Sequence, residues 1–310
     1  MLGSERPAVE TNVHRFAWDG FSFPLPAEWD LADYRLDPKG SSARFEDDTA
    51  VRLDLEWVRC PMAAGREAFL RRYALMAAEL EKAAEARTEP IQGLPEDWTA
   101  KLHAMPDKRL LATAYGSPVS ASGLQVFLRA HFDAASRREP SRLLRMVAEG
   151  FQVHDRGRIP WAVFDVSFEL DASWRLVGTA FQAGRKRFTF VRRARRLELW
   201  FCSLADLALR GRSLGEWAAD MLGTMKSFEA RRFIPASNGR LQAVRRGWLY
   251  PFGHAEEIAR WCFRYQARCL HDRERNRLVL AVLQYRVERD LDDVDLVVPG
   301  FDLHAQSFFG

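Results

Sequence analysis

GFSFPLPAEWDL, residues 20–31, decides the fold, because the chain repeats its pattern as DVSFELDASWRL at residues 165–176. Five apolar residues match at one constant offset of 145 positions: Phe23, Leu25, Ala27, Trp29 and Leu31 correspond to Phe168, Leu170, Ala172, Trp174 and Leu176. The segments GFQVH at 150–154 and GFDLH at 300–304 also match, 150 positions apart. We therefore interpret the chain as one domain duplicated in tandem.

The matches divide the chain of 310 residues into three parts. Residues 1–13 are predicted to be a loose polar leader, 14–155 the first α+β repeat and 160–310 the second. Each repeat is long enough to bury its own hydrophobic core. Residues 1–155 hold 20 basic and 24 acidic residues, which leaves 26 basic and 18 acidic residues of the totals of 46 and 42 for the remainder. The second half is therefore the basic one.

Composition and cysteine usage indicate the compartment. The start, MLGSERPAVETN, has no apolar run, so we expect no secretory signal. No stretch approaches the roughly 20 apolar residues that a membrane span needs. The four cysteines, at positions 60, 202, 262 and 269, form no C-x-x-C pair and are predicted to be buried free thiols. We expect a cytoplasmic protein without a metal or other cofactor.

Periodicity predicts the elements of the first half. Asp19-Gly20 lies between two short alternating runs, which is typical of a hairpin. The stretch 51–57, VRLDLEW, alternates as a half-buried strand does. A helix at 66–85 with an apolar face, a meander of three strands and a short helix ending at Gly150 follow. The meander strands are predicted at 98–104, 109–115 and 124–132.

The second half repeats this order. Its strand RLELW at 196–200 is similar to RLDLEW at 52–57, so that Trp200 corresponds to Trp57. Ser213 and Glu216 form a capping box that predicts the start of a helix. Later strands are predicted at 240–245, 259–270 and 278–287, with Asn276 in the last turn. Each half is therefore predicted to be an antiparallel sheet with packed helices, in the α+β class.

The phrase F-x-P-x-x-W, present here in residues 21–29, followed by a hairpin, one helix, a meander and a short last helix, resembles the Mog1/PsbP-like group. This group comprises small α-β-α sandwiches found in Ran-release factors and photosystem extrinsic subunits. The second copy departs from the phrase at Asp171, where the proline would stand. The resemblance implies the sandwich fold and non-catalytic binding roles. No functional residue of the group matches a position of this chain.

Signatures of common catalysts are missing. The chain has no G-x-S-x-G, G-x-x-x-x-G-K-[ST], G-x-G-x-x-G or H-E-x-x-H motif. His154 and His304 end the two copies, and we interpret them as parts of a shared domain end that bond to a carbonyl. Cys269 and His271 lie two apart, but no third metal ligand is evident. Trp98 and the other unmatched tryptophans are predicted to be core residues rather than stacking platforms.

A basic run is the most specific local feature. It surrounds Phe188 and Phe190 and consists of Arg185, Lys186, Arg187, Arg192, Arg193, Arg195 and Arg196. The corresponding hairpin of the first copy carries Glu46, Asp47 and Asp48 instead. The run is either a solvated or internally paired hairpin, or a surface for an acidic protein or another anionic ligand. Nucleic acid is not expected, because neither a basic face over the whole domain nor a known module is evident.

Two hypotheses for the function follow. The favoured one is a non-catalytic cytoplasmic binding or scaffold protein built from the duplicated α+β domain. The alternative is an enzyme or small-ligand receptor with a pocket where the repeats meet, since domain interfaces often house such sites. Neither the partner nor the oligomeric state can be derived from the residues.

Trp29 and Trp174 provide the first test. Both are expected to be buried in the same kind of structural position, so that Trp29→Ala or Trp174→Ala lowers the free energy of unfolding by about 3–5 kcal/mol. Denaturant unfolding of the two variants measures this loss. A loss below about 1 kcal/mol in either variant would place that side chain outside a core.

Overall fold

The computed structural model describes residues 12–60, 63–83, 87–105, 109–118, 121–133, 139–193, 195–223, 233–235, 240–243, 264–285 and 296–297. The chain divides into two compact units, Met1–Val166 and Ser167–Gly310. Antiparallel strands predominate in the described part of both units, and helices are few. The predicted antiparallel sheets are confirmed at this coarse level. Most of the predicted leader lies outside the described residues, but Val13 already begins a strand.

Unit 1 begins with four strands of a small sheet: β1 (Val13–Trp18), β2 (Phe21–Pro26), β10 (Gln152–Val153) and β11 (Arg158–Val163). They lie in the order β10-β2-β1-β11. Asp19 and Gly20, with φ of 47° and 82°, form the predicted turn between β1 and β2. Pro24 lies on the part of β2 that extends past β10, which pairs only with Phe21 and Ser22. A proline is tolerated there because no neighbouring strand needs its missing N–H.

The larger sheet of unit 1 contains seven strands: β3 (Asp30–Arg35), β4 (Ser41–Glu46), β5 (Val51–Arg59), β6 (Arg87–Pro90), β7 (Trp98–Ala104), β8 (Leu110–Gly116) and β9 (Leu124–Phe132). Their spatial order is β3-β4-β5-β9-β8-β7-β6. The prediction of one sheet for this half was wrong, because the hairpin β1–β2 packs on the larger sheet instead of extending it. Phe16 and Phe23 contact Phe45 of β4 with ring centroids 4.8 and 6.1 Å apart.

Two helices complete unit 1, α1 (Ala63–Ala83) and α2 (Pro140–Gly150). Helix α2 contacts β2, β7 and β8, and it buries Leu143, Leu144, Val147 and Ala148. Helix α1 lies on the opposite side of the large sheet, where Arg72 bonds to Glu56 at 2.6 Å. Its apolar face was predicted to be buried, but Ala77 alone is buried among its described side chains. The sheet beneath it is polar, so α1 is held mainly by ion pairs and aromatic contacts.

Unit 2 begins with the strand β12 (Val166–Asp171). Its large sheet contains seven strands: β13 (Arg175–Gln182), β14 (Arg185–Arg192), β15 (Arg195–Ser203), β16 (Phe233–Pro235), β17 (Arg240–Ala243), β18 (Arg264–Asp272) and β19 (Arg277–Tyr285). The spatial order is β13-β14-β15-β19-β18-β17-β16. A two-residue strand, β20 (Leu296–Val297), pairs with β12. Phe168 of β12 contacts Phe188, Phe190 and Phe201 at 5.3–5.9 Å.

The helices of unit 2 are α3 (Ala205–Leu209), which was not predicted, and α4 (Leu214–Gly223). The predicted capping box is present: the Ser213 amide donates to Glu216 at 2.9 Å, and the Glu216 amide donates to the Ser213 hydroxyl at 3.2 Å. Trp217 and Leu222 of α4 pack on an apolar sheet face. Asn276 adopts φ of 46° in the turn predicted for it. The sequence also predicts a short last helix that Asp292 or Asp293 would cap and that would end near Pro299-Gly300. Its described residues, Leu296 and Val297, form a strand instead, and the rest of it lies outside the described residues.

The predicted correspondence of Trp57 with Trp200 is wrong in register. Leu53 lies opposite Phe45, and Leu197 lies opposite Phe190, so the position of Trp57 in β5 is taken by Phe201 in β15. A shift of one residue turns a side chain to the other face of a strand. Trp57 accordingly contacts Phe21 of the small sheet at 5.2 Å. Trp200 instead joins the cluster under helix α4.

Trp29 and Trp174 do occupy matching surroundings. They are 2% and 3% exposed. Each precedes the edge strand of its sheet and donates its backbone N–H at 3.0 Å to the carbonyl three residues earlier, at Pro26 and Asp171. Their predicted burial is confirmed.

The end of α2 generates a prediction. A Cβ atom on Gly150 would lie 2.4 Å from Cδ of Pro24. Gly150→Ala should therefore lower the free energy of unfolding by about 1–3 kcal/mol, the usual cost of overpacking. Gly223→Ala is the matched control, because nothing lies within 4 Å of its Cβ position. Denaturant midpoints measure both changes, and equal midpoints would show that Pro24 moves aside without cost.

Candidate functional site

The structure separates the seven basic residues into two groups. Arg185, Lys186 and Arg187 begin strand β14, next to the β13–β14 turn. Arg192, Arg193, Arg195 and Arg196 surround the β14–β15 turn at its other end. Eight residues of extended chain place the two groups about 23 Å apart. All seven basic residues lie in the hairpin β14–β15, but only the second group lies at its turn, because β14 is longer than its apolar centre suggested.

The seven basic residues differ in solvent exposure and in their partners. Arg185, Arg193 and Arg196 are exposed, whereas the other four basic residues are half-buried. Arg193 forms the tip of the β14–β15 turn with φ of 53°. Arg196 donates from Nε to Oε1 of the buried Glu198 at 2.9 Å. Glu198 is the one acidic residue between positions 185 and 203, so this part of the sheet carries a large excess of positive charge.

Hairpin β4–β5 of unit 1 occupies the same place in the strand order, but its turn residue Asp47 and its strand residue Asp54 have arginine partners. Arg52 bonds to Asp47 at 2.6 Å and to Asp133 at 2.8 Å. Asp47 also accepts from the amides of Thr49 and Ala50 in the turn. Burial alone would raise the pKa of Asp47, but these hydrogen bonds hold it well below its usual range. Asp47 therefore stabilises the hairpin to which it belongs.

A second balanced cluster lies further along β5. Asp54 accepts from Arg44 at 2.9 Å, from Arg129 at 3.0 Å and from His131 at 2.9 Å. Partial burial would raise the pKa of Asp54, but the hydrogen bonds of His131 and Arg44 and the charge of Arg129 lower it strongly. The carboxylate stays ionised, and both of its oxygens have partners. This cluster was not predicted from the sequence. The pattern that could have revealed it is the charged residues that alternate with apolar ones in β5 and β9.

His103 is a buried histidine that the sequence analysis missed. It lies in β7 with Nδ1 3.1 Å from the Thr88 hydroxyl and Nε2 3.1 Å from the Thr113 hydroxyl. Burial lowers its pKa. Tyr73 of α1 also bonds to Thr113, and burial raises the pKa of its phenol. The alternation Thr99, Lys101, His103 marks the polar side of this strand and was the available signal.

His154 ties the end of unit 1 to the first hairpin. Its backbone N–H donates to the Gly20 carbonyl at 2.7 Å, as the predicted role at a domain end requires. Its ring contacts the Ser22 hydroxyl at 2.9 Å. Arg15 also donates to this hydroxyl, at 3.0 Å. Ser22 is fully buried, so the pair supports the fold and is not an accessible nucleophile. His304 lies outside the described residues.

The described cysteines are buried free thiols, as predicted. Burial raises the pKa of Cys202 to about 11 and that of Cys269 to about 12. The pKa of Cys60 is raised for the same reason. Such thiols remain protonated near neutral pH and react slowly. Cys262 lies outside the described residues. Trp98 is buried and packs against Phe151 at 5.5 Å, as expected of a core residue, whereas Trp248 and Trp261 are not described.

Comparisons with known proteins add little. No protein-family model and no curated protein matches the chain. Among solved structures, the chain is similar to the solution structure of cyanobacterial PsbP (CyanoP) from Synechocystis sp. PCC 6803, with 17% identity and a TM-score of 0.32. This match covers 49% of the chain and 99% of the PsbP chain. No helix within the described residues has the length and apolar character that crossing a membrane requires.

The buried histidine gives a prediction for pH. Because the pKa of His103 is lowered in the folded state, the unfolded chain binds its proton first as the pH falls below about 6.5. The stability that neutral His103 contributes is complete above that pH and is lost as the pH falls towards the folded-state pKa. Urea unfolding between pH 7.5 and 5 should show this loss, at up to about 1.4 kcal/mol per pH unit.

His103→Gln is the matched variant, since an amide can still bond to both threonine hydroxyls without titrating. Its stability should depend less on pH than that of the wild type in the same window. Asp47 and Asp54 keep their contribution to stability throughout this window and lose it only at lower pH, because their pKa values are lowered from the ordinary carboxyl range. The same slope in both proteins would show that His103 does not control acid sensitivity.

Proposed function

We propose that the chain is a tandem duplication of one Mog1/PsbP-like α+β domain, with copies at 14–155 and 160–310. The two large sheets support this proposal, because their strands follow each other in the same spatial order. Both edge strands also carry a bulge at the same place, between Leu31 and Asp33 in β3 and between Leu176 and Gly178 in β13. These pairs keep the offset of 145 positions that the sequence repeat has.

The function that we propose for it is binding of an anionic partner, in the first place an acidic protein, by a non-catalytic cytoplasmic protein. The observation that carries the proposal is the charge of β14 and β15. Seven basic residues and one acidic residue lie between positions 185 and 203. The balanced pairs of hairpin β4–β5 indicate that this place in the fold does not itself require positive charge.

The register of β14 and β15 brings positive charges together across the two strands. Arg192 lies directly opposite Arg195, and Val191 lies opposite Arg196. Like charges directly opposite each other on neighbouring strands destabilise a sheet. Exposed ion pairs contribute only about 0–1 kcal/mol each and do not offset such a cluster by themselves. A partner with negative charge gives this arrangement a function.

Charge complementarity of this kind acts mainly on the rate of association and weakens with salt. We therefore expect the wild-type protein to be retained on heparin at about 50 mM salt and released well below 1 M. A variant with Arg192, Arg193, Arg195 and Arg196 changed to Ser should elute at clearly lower salt. Elution in a salt gradient, followed by binding to a polyglutamate peptide at two salt concentrations, measures the difference.

The matched control changes Arg35, Arg66, Arg71 and Arg156, which are exposed arginines of unit 1, to Ser. It removes the same formal charge from another place in the chain. If both variants elute at the same salt concentration, retention reflects net charge alone and the proposed surface is refuted.

A further inference from the structure

One face of β14 and β15 carries buried polar atoms that the fold leaves without partners. This face is the one that carries Trp200, which packs in the cluster under helix α4. Arg187 lies directly opposite Trp200, and Thr189 lies opposite Glu198, so their side chains share that face. The guanidinium of Arg187 lies over the Trp200 ring, 5.0 Å from its centroid.

Three atoms of this group are buried and have no hydrogen-bond partner within the described part of the chain: Nε of Arg187, Oε2 of Glu198 and Nε1 of Trp200. Leaving one such atom unpaired costs about 1–3 kcal/mol, and native proteins leave few of them. Three on neighbouring positions of two strands therefore point to a molecule that bonds to all of them. The side chain of Glu198 is only 3% exposed, whereas that of Arg196, bonded to its other oxygen, is 46% exposed.

Unit 1 shows that the fold does not impose this deficit. Asp54 takes the place in β5 that Glu198 takes in β15, since Asp54 follows Leu53 opposite Phe45 and Glu198 follows Leu197 opposite Phe190. Both oxygens of Asp54 have partners. The free oxygen of Glu198 is therefore particular to unit 2.

The chemistry of the three atoms defines their ligand. Arg187 and Trp200 supply N–H donors, so the ligand must offer acceptors to both. The same face also carries Arg185, two residues from Arg187, and Arg196, which bonds to Glu198. Three positive charges against one carboxylate indicate that the ligand is an anion. A carboxylate oxygen accepts hydrogen bonds only, so this anion must also bring a proton towards Glu198.

We propose that Arg187, Glu198 and Trp200 bind a phosphate group that retains one proton, as inorganic phosphate or as a monoester. Hydrogen phosphate meets all three requirements, whereas sulfate carries no proton at neutral pH and would meet Glu198 oxygen to oxygen. The site shares Arg187 with the basic surface proposed above, and it rests on that proposal for the sign of the ligand's charge. Selectivity for phosphate over sulfate is its specific property.

Calorimetric titration with sodium phosphate, sodium sulfate and O-phosphoserine at pH 7.0 and constant ionic strength tests the site. The wild type should prefer phosphate to sulfate by about tenfold or more, the value of one charge-assisted hydrogen bond. Glu198→Gln presents an amide N–H to the anion, so sulfate should bind better and the preference should vanish. Arg187→Lys keeps the charge but removes Nε, and phosphate binding should weaken by about tenfold. Binding of O-phosphoserine as well as phosphate identifies a monoester site; binding of phosphate alone identifies a site for the free ion.

Arg193→Ser is the control, because Arg193 is exposed at the turn and carries none of the three atoms. It should weaken retention on heparin and leave the phosphate preference unchanged. Circular dichroism verifies that each variant is folded. Trp200→Phe removes Nε1 and keeps an aromatic ring, so it gives an independent measure of what the Nε1 hydrogen bond contributes to phosphate affinity. Equal affinity for phosphate and sulfate, or no binding of phosphate by the wild type, would overturn the site and leave only buried solvent there. If the wild type were still retained on heparin in that case, the proposed basic surface would remain supported.

Discussion

Unit 1 depends on the packing of its last segment against its first hairpin. Phe151 stacks on Phe21 and Phe23 with centroids 5.4 and 5.7 Å apart. These two rings in turn meet Trp57 and Phe45 of the large sheet. The core is thus completed by residues about 130 positions apart in the chain. Such long-range contacts form late and cooperatively, since their loop-closure entropy must be offset by many contacts at once.

Alternation of apolar and polar residues was enough to predict several strands of this framework with correct bounds. The bounds of β7 and β9 agree with the prediction, and β8 differs by one residue at each end. Alternation shows which side of a strand is buried but not which strand lies beside it. The separate small sheet was missed for this reason. The short strands β6 and β10 were missed because two to four residues carry too little pattern.

The candidate site was predictable in composition but not in geometry. The basic residues are evident as letters, but their division between two turns depends on where β14 begins and ends. The tryptophans show the same limit: RLDLEW and RLELW differ by one residue, and this difference places Trp57 and Trp200 on opposite sides of their strands. Sequence similarity alone favoured the alignment of Trp57 with Trp200. The pairing of Leu53 with Phe45 and of Leu197 with Phe190 decides against it.

The large sheets of the two units have the same order of strands but differ in the charges that their strands carry. Helix α1 lies on a polar sheet face through ion pairs such as Arg72–Glu56, whereas α4 covers an apolar cluster around Trp217. In unit 1, Asp47, Asp54 and Glu56 of hairpin β4–β5 each have an arginine partner. In unit 2 the same strand positions retain opposed arginines and a carboxylate with one free oxygen, both of which cost stability. Under the proposed duplication, unit 1 shows that this place in the fold can satisfy both oxygens of its carboxylate, whereas Oε2 of Glu198 in unit 2 has no partner within the described residues.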